Sequence, residues 1–317
     1  ALSGGDRIFI ELVKRWQLQL DITLFLSKEG SAICQRHELG NINQRVWASN
    51  FFSRWGYLVD ILYRTLNSII KAFSVKTVAG DIIFSSSDFW PDSFPALILK
   101  KINPKITWIA GFYLFAPKPW QKNSPYYGKN FLTGFLYWIG QLPTYYIIRK
   151  YADIVFVTSQ PDVDRFITPI RSKESVIVIR GGVDTILSTN YLNSNNFIPP
   201  DKRIYDACFV GRFHYQKGVL ELIKIWKLVC LKNPQAHLAM IGSGPLDKEV
   251  KNLIKKTGLS KNIYLGGFLD GPKKFEIFKQ SRLVLHPATF DSGGMAAAEA
   301  MAWGLPGVSF DLKGLKT

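Results

Sequence analysis

The sequence predicts an α/β protein made of two Rossmann-like, doubly wound domains facing across a cleft. Three observations predict it. Apolar runs of strand length alternate with helix-forming segments along the chain, as they do when crossover helices connect parallel strands. Several runs end in Gly-rich or polar loops, where open α/β sheets hold ligands. The pattern occurs twice, on either side of a polar stretch at residues 188–200. A chain of 317 residues has the length of about two domains, and 47% hydrophobic residues are ample for two cores. The expected division is an N-terminal domain at 1–187, a linker at 188–200 and a C-terminal domain at 201–317.

The chain opens on Ser3-Gly4-Gly5-Asp6, a loop ahead of a helix whose apolar spacing starts at Ile8. Such a loop is either a phosphate or hydroxyl site or a plain helix cap. Residues 20–26 form a buried-strand candidate, and 46–73 read as helix. A strand at 81–84 runs into the polar loop SSSDFWPD, and the next helix begins at 95. Further strands are expected at 105–110, 153–158 and 175–179, with a helix at 162–166. Arg180-Gly181-Gly182-Val183-Asp184 leads into the linker. No strand precedes Ala1, and Val308-Ser309-Phe310-Asp311 reads as a strand entering another loop. The sequence therefore looks truncated at both ends.

The second half repeats the pattern. A strand at 205–210 ends in Gly211-Arg212-Phe213-His214-Tyr215-Gln216-Lys217-Gly218, and a helix follows at 219–230. A strand at 237–241 ends in Gly242-Ser243-Gly244-Pro245, one at 262–265 in Gly266-Gly267, and a helix spans 272–280. After the run 283–285 comes HPATFDSGGMAAAEAMAWGLP, residues 286–306. Gly293-Gly294 precede a helix-forming run from 295 to 303, which Gly304 and Pro306 end. Strand, glycine turn and helix N-terminus together make an anion site. Asp291 and Glu299 flank it with seven residues between them. A polyhydroxyl ligand carrying a phosphate suits that set. The plain alternative is a capped, Ala-rich packing helix whose dipole favours the acid.

The net charge of +16 is shared evenly. Residues 1–186 hold 22 Lys/Arg and 14 Asp/Glu, and the remainder 18 and 10, so each part is +8. Neither is a basic tail, and the whole surface attracts anions. Cys34, Cys208 and Cys230 are scattered, which excludes a disulfide framework or a Cys zinc site and fits a reducing, cytoplasmic setting. His37, His214, His237 and His286 show no metal spacing and read as surface or packed residues. No signal-peptide pattern is present.

Residues 93–152 contain no Asp or Glu but eight Lys/Arg and 15 of the 44 aromatics, where an even spread gives roughly 8. Within them, FLTGFLYWIGQLPTYYII at 131–148 is free of charge. Gly140 and Pro143 make it a poor spanning helix. It reads either as a buried core helix or as part of a peripheral membrane contact through residues 112–150, with rings at headgroup depth and cations on lipid phosphates. Single-stranded nucleic acid is a third partner for basic aromatic surfaces, but no nucleic-acid motif accompanies it, so no nucleic acid is expected.

The second half resembles the retaining GT-B glycosyltransferases of the family-4 type, the glycosyl transferases group 1. Four features carry the resemblance: Gly211-Arg212 with Lys217-Gly218, Gly242-Ser243-Gly244-Pro245, Leu265-Gly266-Gly267-Phe268, and Asp291 to Glu299 followed by Ala300-Met301-Ala302-Trp303-Gly304-Leu305-Pro306. The first half matches more loosely, through Gly4-Gly5-Asp6-Arg7, Phe89-Trp90-Pro91-Asp92 and Gly182-Val183-Asp184.

The resemblance implies an acceptor-side N-terminal domain and a nucleotide-sugar-binding C-terminal one. It implies transfer of a hexose-type sugar, with retention, from a nucleotide-diphosphate sugar to an acceptor hydroxyl. Arg212 and Lys217 then hold the diphosphate, and Asp291 stands near the transferred sugar, one methylene shorter than the family's usual Glu. Glu299 takes the ribose. Ser292, Gly293, Gly294 and Met295 offer loop amides, Gly211 and Gly244 lie in donor-side motifs, and Gly5 closes on the donor. Gly293 replaces the family's usual aromatic. Relatives carry a His after the strand that here ends in Gly111-Phe112-Tyr113, so no protein base is named and the leaving phosphate oxygen takes the acceptor proton. The resemblance implies no cofactor and no metal. With the aromatic window, it suits a glycan or lipid-linked acceptor on the cytoplasmic membrane face. A GT-B nucleotide-sugar hydrolase or epimerase, or a non-catalytic sugar-nucleotide-binding protein, are the alternatives.

Overall fold

A computed structural model describes residues 4–48, 56–122, 124–179, 181–291 and 293–312. The chain forms two compact units, Ala1–Ala116 with Leu136–Gly181, and Pro117–Phe135 with Gly182–Thr317. Residues 117–135, assigned to the N-terminal domain by sequence, thus group with the C-terminal unit.

The first unit contains α1 (Gly4–Trp16), β1 (Thr23–Ser27), α2 (Lys28–Arg36), β2 (Asn43–Ala48), α3 (Tyr57–Ala72), β3 (Ile82–Ser85), α4 (Trp90–Ile102) and β4 (Thr107–Gly111). It continues through most of α5 (Phe131–Tyr151) into β5 (Ile154–Val157) and β6 (Val176–Val178). β3, β4, β5 and β6 lie side by side in that order, all parallel, while β1 and β2 form a separate parallel pair. Helices cover both faces of the four-stranded sheet. Ile8, Leu12 and Trp16 of α1 pack with Phe84, Ile109 and Phe156. Ala96 of α4 and Ile148 of α5 pack with Trp108, Ala110, Val155 and Val157 on the opposite face.

Local differences from the sequence reading have physical reasons. Gly4 and Gly5 begin α1 instead of forming a loop. The start of the expected 46–73 helix is strand, because β2 finds β1 as a partner. α4 begins at Trp90, since Pro91 in a first helical turn loses no hydrogen bond. The expected helix at 162–166 is a 3₁₀ turn, Gln160–Arg165. α5 runs unbroken through Gly140 and Pro143. Among the described residues no helix is long and apolar enough to cross a membrane.

The second unit holds α6 (Ile186–Leu192), β7 (Ala207–Val210), α7 (Val219–Lys232), β8 (Leu238–Ile241), α8 (Asp247–Thr257), β9 (Ile263–Gly267), α9 (Pro272–Lys279), β10 (Val284–His286), α10 (Met295–Ala302) and β11 (Gly307–Ser309). Its parallel sheet has the order β11-β10-β7-β8-β9. Strand residues alternate between two cores. Phe209, Leu238 and Met240 join Val219, Leu222 and Val250 of α7 and α8. Cys208, Ala239 and Ile241 join Phe278 of α9 and Ala297 and Ala300 of α10. The chain moves outward from β7 through β9, then restarts at β10 on the other side of β7. The switch point between β7 and β10 is where a doubly wound sheet opens a ligand crevice.

Candidate active site at the switch point of the second sheet

The loops leaving β7, β8 and β10 interlock. Gly218 has φ +62°, and a Cβ there would run into the Pro287 carbonyl. Gly242 has φ +145°, and a Cβ there would strike the Gly211 carbonyl. Only glycine tolerates both the conformation and the approach. Gly244 is pressed in the same way against the Phe213 backbone. Phe213 N donates to the Ser243 carbonyl at 3.0 Å, and Leu246 N to the Phe213 carbonyl at 3.1 Å. Thr289 N and Phe290 N both donate to the Gln216 carbonyl, at 2.9 and 3.2 Å. The glycines and these bonds fix the three loops as one surface.

That surface brings Lys217 and Asp291 together, with Nζ 2.6 Å from Oδ2. His286 Nε2 lies 3.1 Å from the same oxygen, close enough for a charge contact but off the line of a good hydrogen bond. Burial alone would raise the Asp291 carboxyl, but His286 and Lys217 outweigh it and hold the group well below the usual carboxylate range. Asp291 is therefore ionised at neutral pH.

Arg212 is exposed on the same loop. His214 Nδ1 accepts from Gln216 N at 3.3 Å, and burial followed by the charges of Arg212 and Lys217 pushes its imidazole down. Neutral His214 thus acts as a loop cap. Gln216 Nε2 donates to the Tyr126 hydroxyl at 3.3 Å.

Glu299 stands in α10 with each carboxylate oxygen on Lys274 Nζ of α9, at 2.8 and 2.9 Å. Lys274 has only 5% of its side chain exposed and also reaches Asp270 at 3.1 Å. Gly294 caps α10 and Met295 is its first residue. Gly293 is exposed beside them. Ser292 lies outside the described residues. Gly5 lies in the first turn of α1, in the first unit. A separate hollow of about 330 Å³, lined by residues including Lys122, Tyr215, Glu221 and Thr289, contains none of the sequence-predicted site residues.

The sequence gives no sign of Lys274, Gln216 and Tyr126 as site partners, and His286 reads there only as a surface or packed residue. Only His286 carried a signal, its place at a strand end five residues before Asp291.

Residues 193–317 match the family described as Glycosyl transferases group 1. Over this segment the chain is similar to that family. An uncharacterized glycosyltransferase of Methanocaldococcus jannaschii, MJ1059, is 30% identical over 223 residues, 69% of this chain and 52% of that protein. The poly(glycerol-phosphate) alpha-glucosyltransferase of Bacillus subtilis is 27% identical over 159 residues, 50% of this chain and 22% of that one. The chain thus spans about half the length of the first of these relatives and less of the second. Among solved structures, Anabaena Alr3699/HepE in complex with UDP and glucose matches with TM-score 0.64 at 19% identity, over 98% of this chain and 78% of that chain. The fold is that of the GT-B glycosyltransferases, and the switch-point loops lie within the segment that matches Glycosyl transferases group 1.

Proposed function

We propose that this chain transfers a hexose from a nucleotide-diphosphate sugar to an acceptor hydroxyl, with retention at the anomeric carbon. The observation that carries the reading is the Lys217–Asp291 pair, which joins the β7 and β10 loops at the switch point of a group 1 sheet. The anomeric C–O bond to the diphosphate breaks while a bond to the acceptor oxygen forms on the same face. The acceptor proton passes to the leaving phosphate oxygen. Negative charge builds on the diphosphate, and Arg212 and Lys217 stabilise it where it develops, Arg212 with two-pronged geometry and Lys217 as a point charge. Asp291 aims the Lys217 ammonium. Backbone amides from Ser292 to Met295 meet phosphate or sugar oxygens, and Gly211 and Gly244 keep the donor-side loops slim. Glu299, gripped by Lys274 through both carboxylate oxygens, is the acceptor this proposal assigns to the ribose hydroxyls. The proposal involves no cofactor and no metal, since these two cations supply the charge.

Two relatives support a glucosyl donor as the first to try. The Alr3699/HepE structure contains UDP and glucose, and the Bacillus protein is named an alpha-glucosyltransferase. A glycan or lipid-linked acceptor at the cytoplasmic membrane face is supported by one face of α5, where Leu132, Leu136, Ile139 and Tyr146 are exposed at spacings that repeat with the helix.

The test is a melting-shift screen with UDP-, GDP- and ADP-sugars, followed by NMR of the product formed with an acceptor. One nucleotide sugar raises the melting temperature and yields an α-linked product. No shift with any donor, or release of free sugar regardless of acceptor, contradicts the proposal.

A further inference from the structure

The first unit carries a polar cluster that the donor chemistry does not use. It sits where β3 and β4 end, the ligand edge of a parallel sheet. Asp92, in the first turn of α4, accepts from Ser87 Oγ at 2.5 Å and Ser86 Oγ at 3.2 Å through Oδ2. Gln141 of α5, 8% exposed, donates from Nε2 to Asp88 Oδ2 at 2.7 Å and to the Leu114 carbonyl at 2.8 Å. Its Oε1 accepts from Ala116 N at 2.7 Å. Gln141 is thereby fixed at both ends and holds Asp88 in place.

Within electrostatic reach of both acids stands Tyr113, 9% exposed, whose hydroxyl has no hydrogen-bond partner among the described residues. It lies over Gly111, where a Cβ would meet the hydroxyl at 2.8 Å and the Ser86 carbonyl at 2.9 Å. The absence of a side chain at Gly111 makes room for the phenol. Burial, then the charges of Asp92 and Asp88, push that phenol up, so the hydroxyl stays protonated and able to donate. A buried hydroxyl without a partner is costly, and here a ligand can supply the missing bond.

We infer that Asp88, Asp92 and Tyr113 form a site for the neighbouring hydroxyls of a sugar or polyol, the part of the acceptor that this unit holds. The carboxylates accept from ligand hydroxyls, and the phenol donates to one. The acids, with Asp6 adding its charge near Asp92, repel phosphate, so this site differs in kind from the cationic loops of the second unit. Among the described residues no group of three or more His, Cys, Asp or Glu is placed for a metal ion. Phe89, next to Asp88 and half exposed, offers an apolar ring of the kind sugar C–H faces cover. Naming the ligand as the acceptor rests on the glycosyl-transfer reading, whereas the hydroxyl binding does not.

Saturation-transfer NMR with methyl α-glucoside tests the site, with UDP-induced melting shifts measured on the same proteins. Ring protons should saturate with the wild type. Tyr113→Phe and Asp92→Asn, which both keep the side-chain shape, should each weaken the signal about fivefold, the loss of one charge-assisted or rescued hydrogen bond. Equal saturation in wild type and both variants, or none in the wild type, overturns the site. The UDP shift reports the donor reading alone, so failure of one is distinguishable from failure of the other.

Discussion

Asp88 and Asp291 are both carboxylates in crowded surroundings, and they titrate in opposite directions. Burial pushes Asp88 up to about 6, with the Gln141 hydrogen bond holding it back and Asp92 adding to the rise. Asp291 is held down because His286 and Lys217 outweigh its burial. A raised carboxyl costs stability as pH climbs from its unfolded value, near 3.9, through its folded one. Asp88→Asn removes that cost and keeps an oxygen for Gln141. The variant should be more stable than the wild type by about 2–3 kcal/mol at pH 7.5 and no more stable at pH 4. Urea unfolding at the two pH values checks this, and a gain independent of pH contradicts it. Asp291 has the other sign: its contribution is present above about pH 4 and fades only on strong acidification. Neither pKa was legible in sequence. Asp88 depends on Gln141, 53 residues away, and Asp291 on Lys217, 74 residues away.

At the level of elements, α5 depends on a residue outside it. Arg171 is 2% exposed. It donates to the Ala152 carbonyl at 3.0 Å, Ile148 at 2.9 Å and Phe166 at 3.0 Å. Two of those carbonyls lie at the C-terminal end of α5, where the dipole favours a cation; Ile148 also accepts from Ala152 N at 3.1 Å, while Ala152 follows the last helical residue, where the helix supplies no donor. Arg171→Met keeps the apolar stem and removes the donors. It should cost about 3 kcal/mol by leaving buried carbonyls unsatisfied, read as a lower urea midpoint. A change within about 0.5 kcal/mol contradicts that role. The strand-helix alternation that made the fold legible is local, and most strands appear within two residues of their expected places. β2 was missed because Val46-Trp47-Ala48 also suits a helix, and only pairing with β1 decides it.

On the scale of the whole molecule, the second unit was more legible than the first. Its site lies in loops at strand ends, where glycines and charges keep fixed spacings. The ion pair that engages Glu299 was hidden, because Lys274 is 25 residues away on another helix. Asp88 and Asp92 stand in the polar loop that the sequence marks after β3, whereas Tyr113, 21 residues beyond Asp92 after β4, was hidden for the same reason. The net charge of +16 and the exposed face of α5 predict flotation with phosphatidylserine vesicles at low salt. Leu132→Glu with Leu136→Glu should abolish it, and unchanged flotation of that double variant rules out α5 as the contact.

The central claim is that Arg212 and Lys217 stabilise a departing diphosphate. Steady-state kinetics of Arg212→Ala and Lys217→Ala with the donor found in the screen test it most directly. Each variant should lose about 10²-fold or more in kcat while remaining folded. Near-normal turnover in both would contradict the claim.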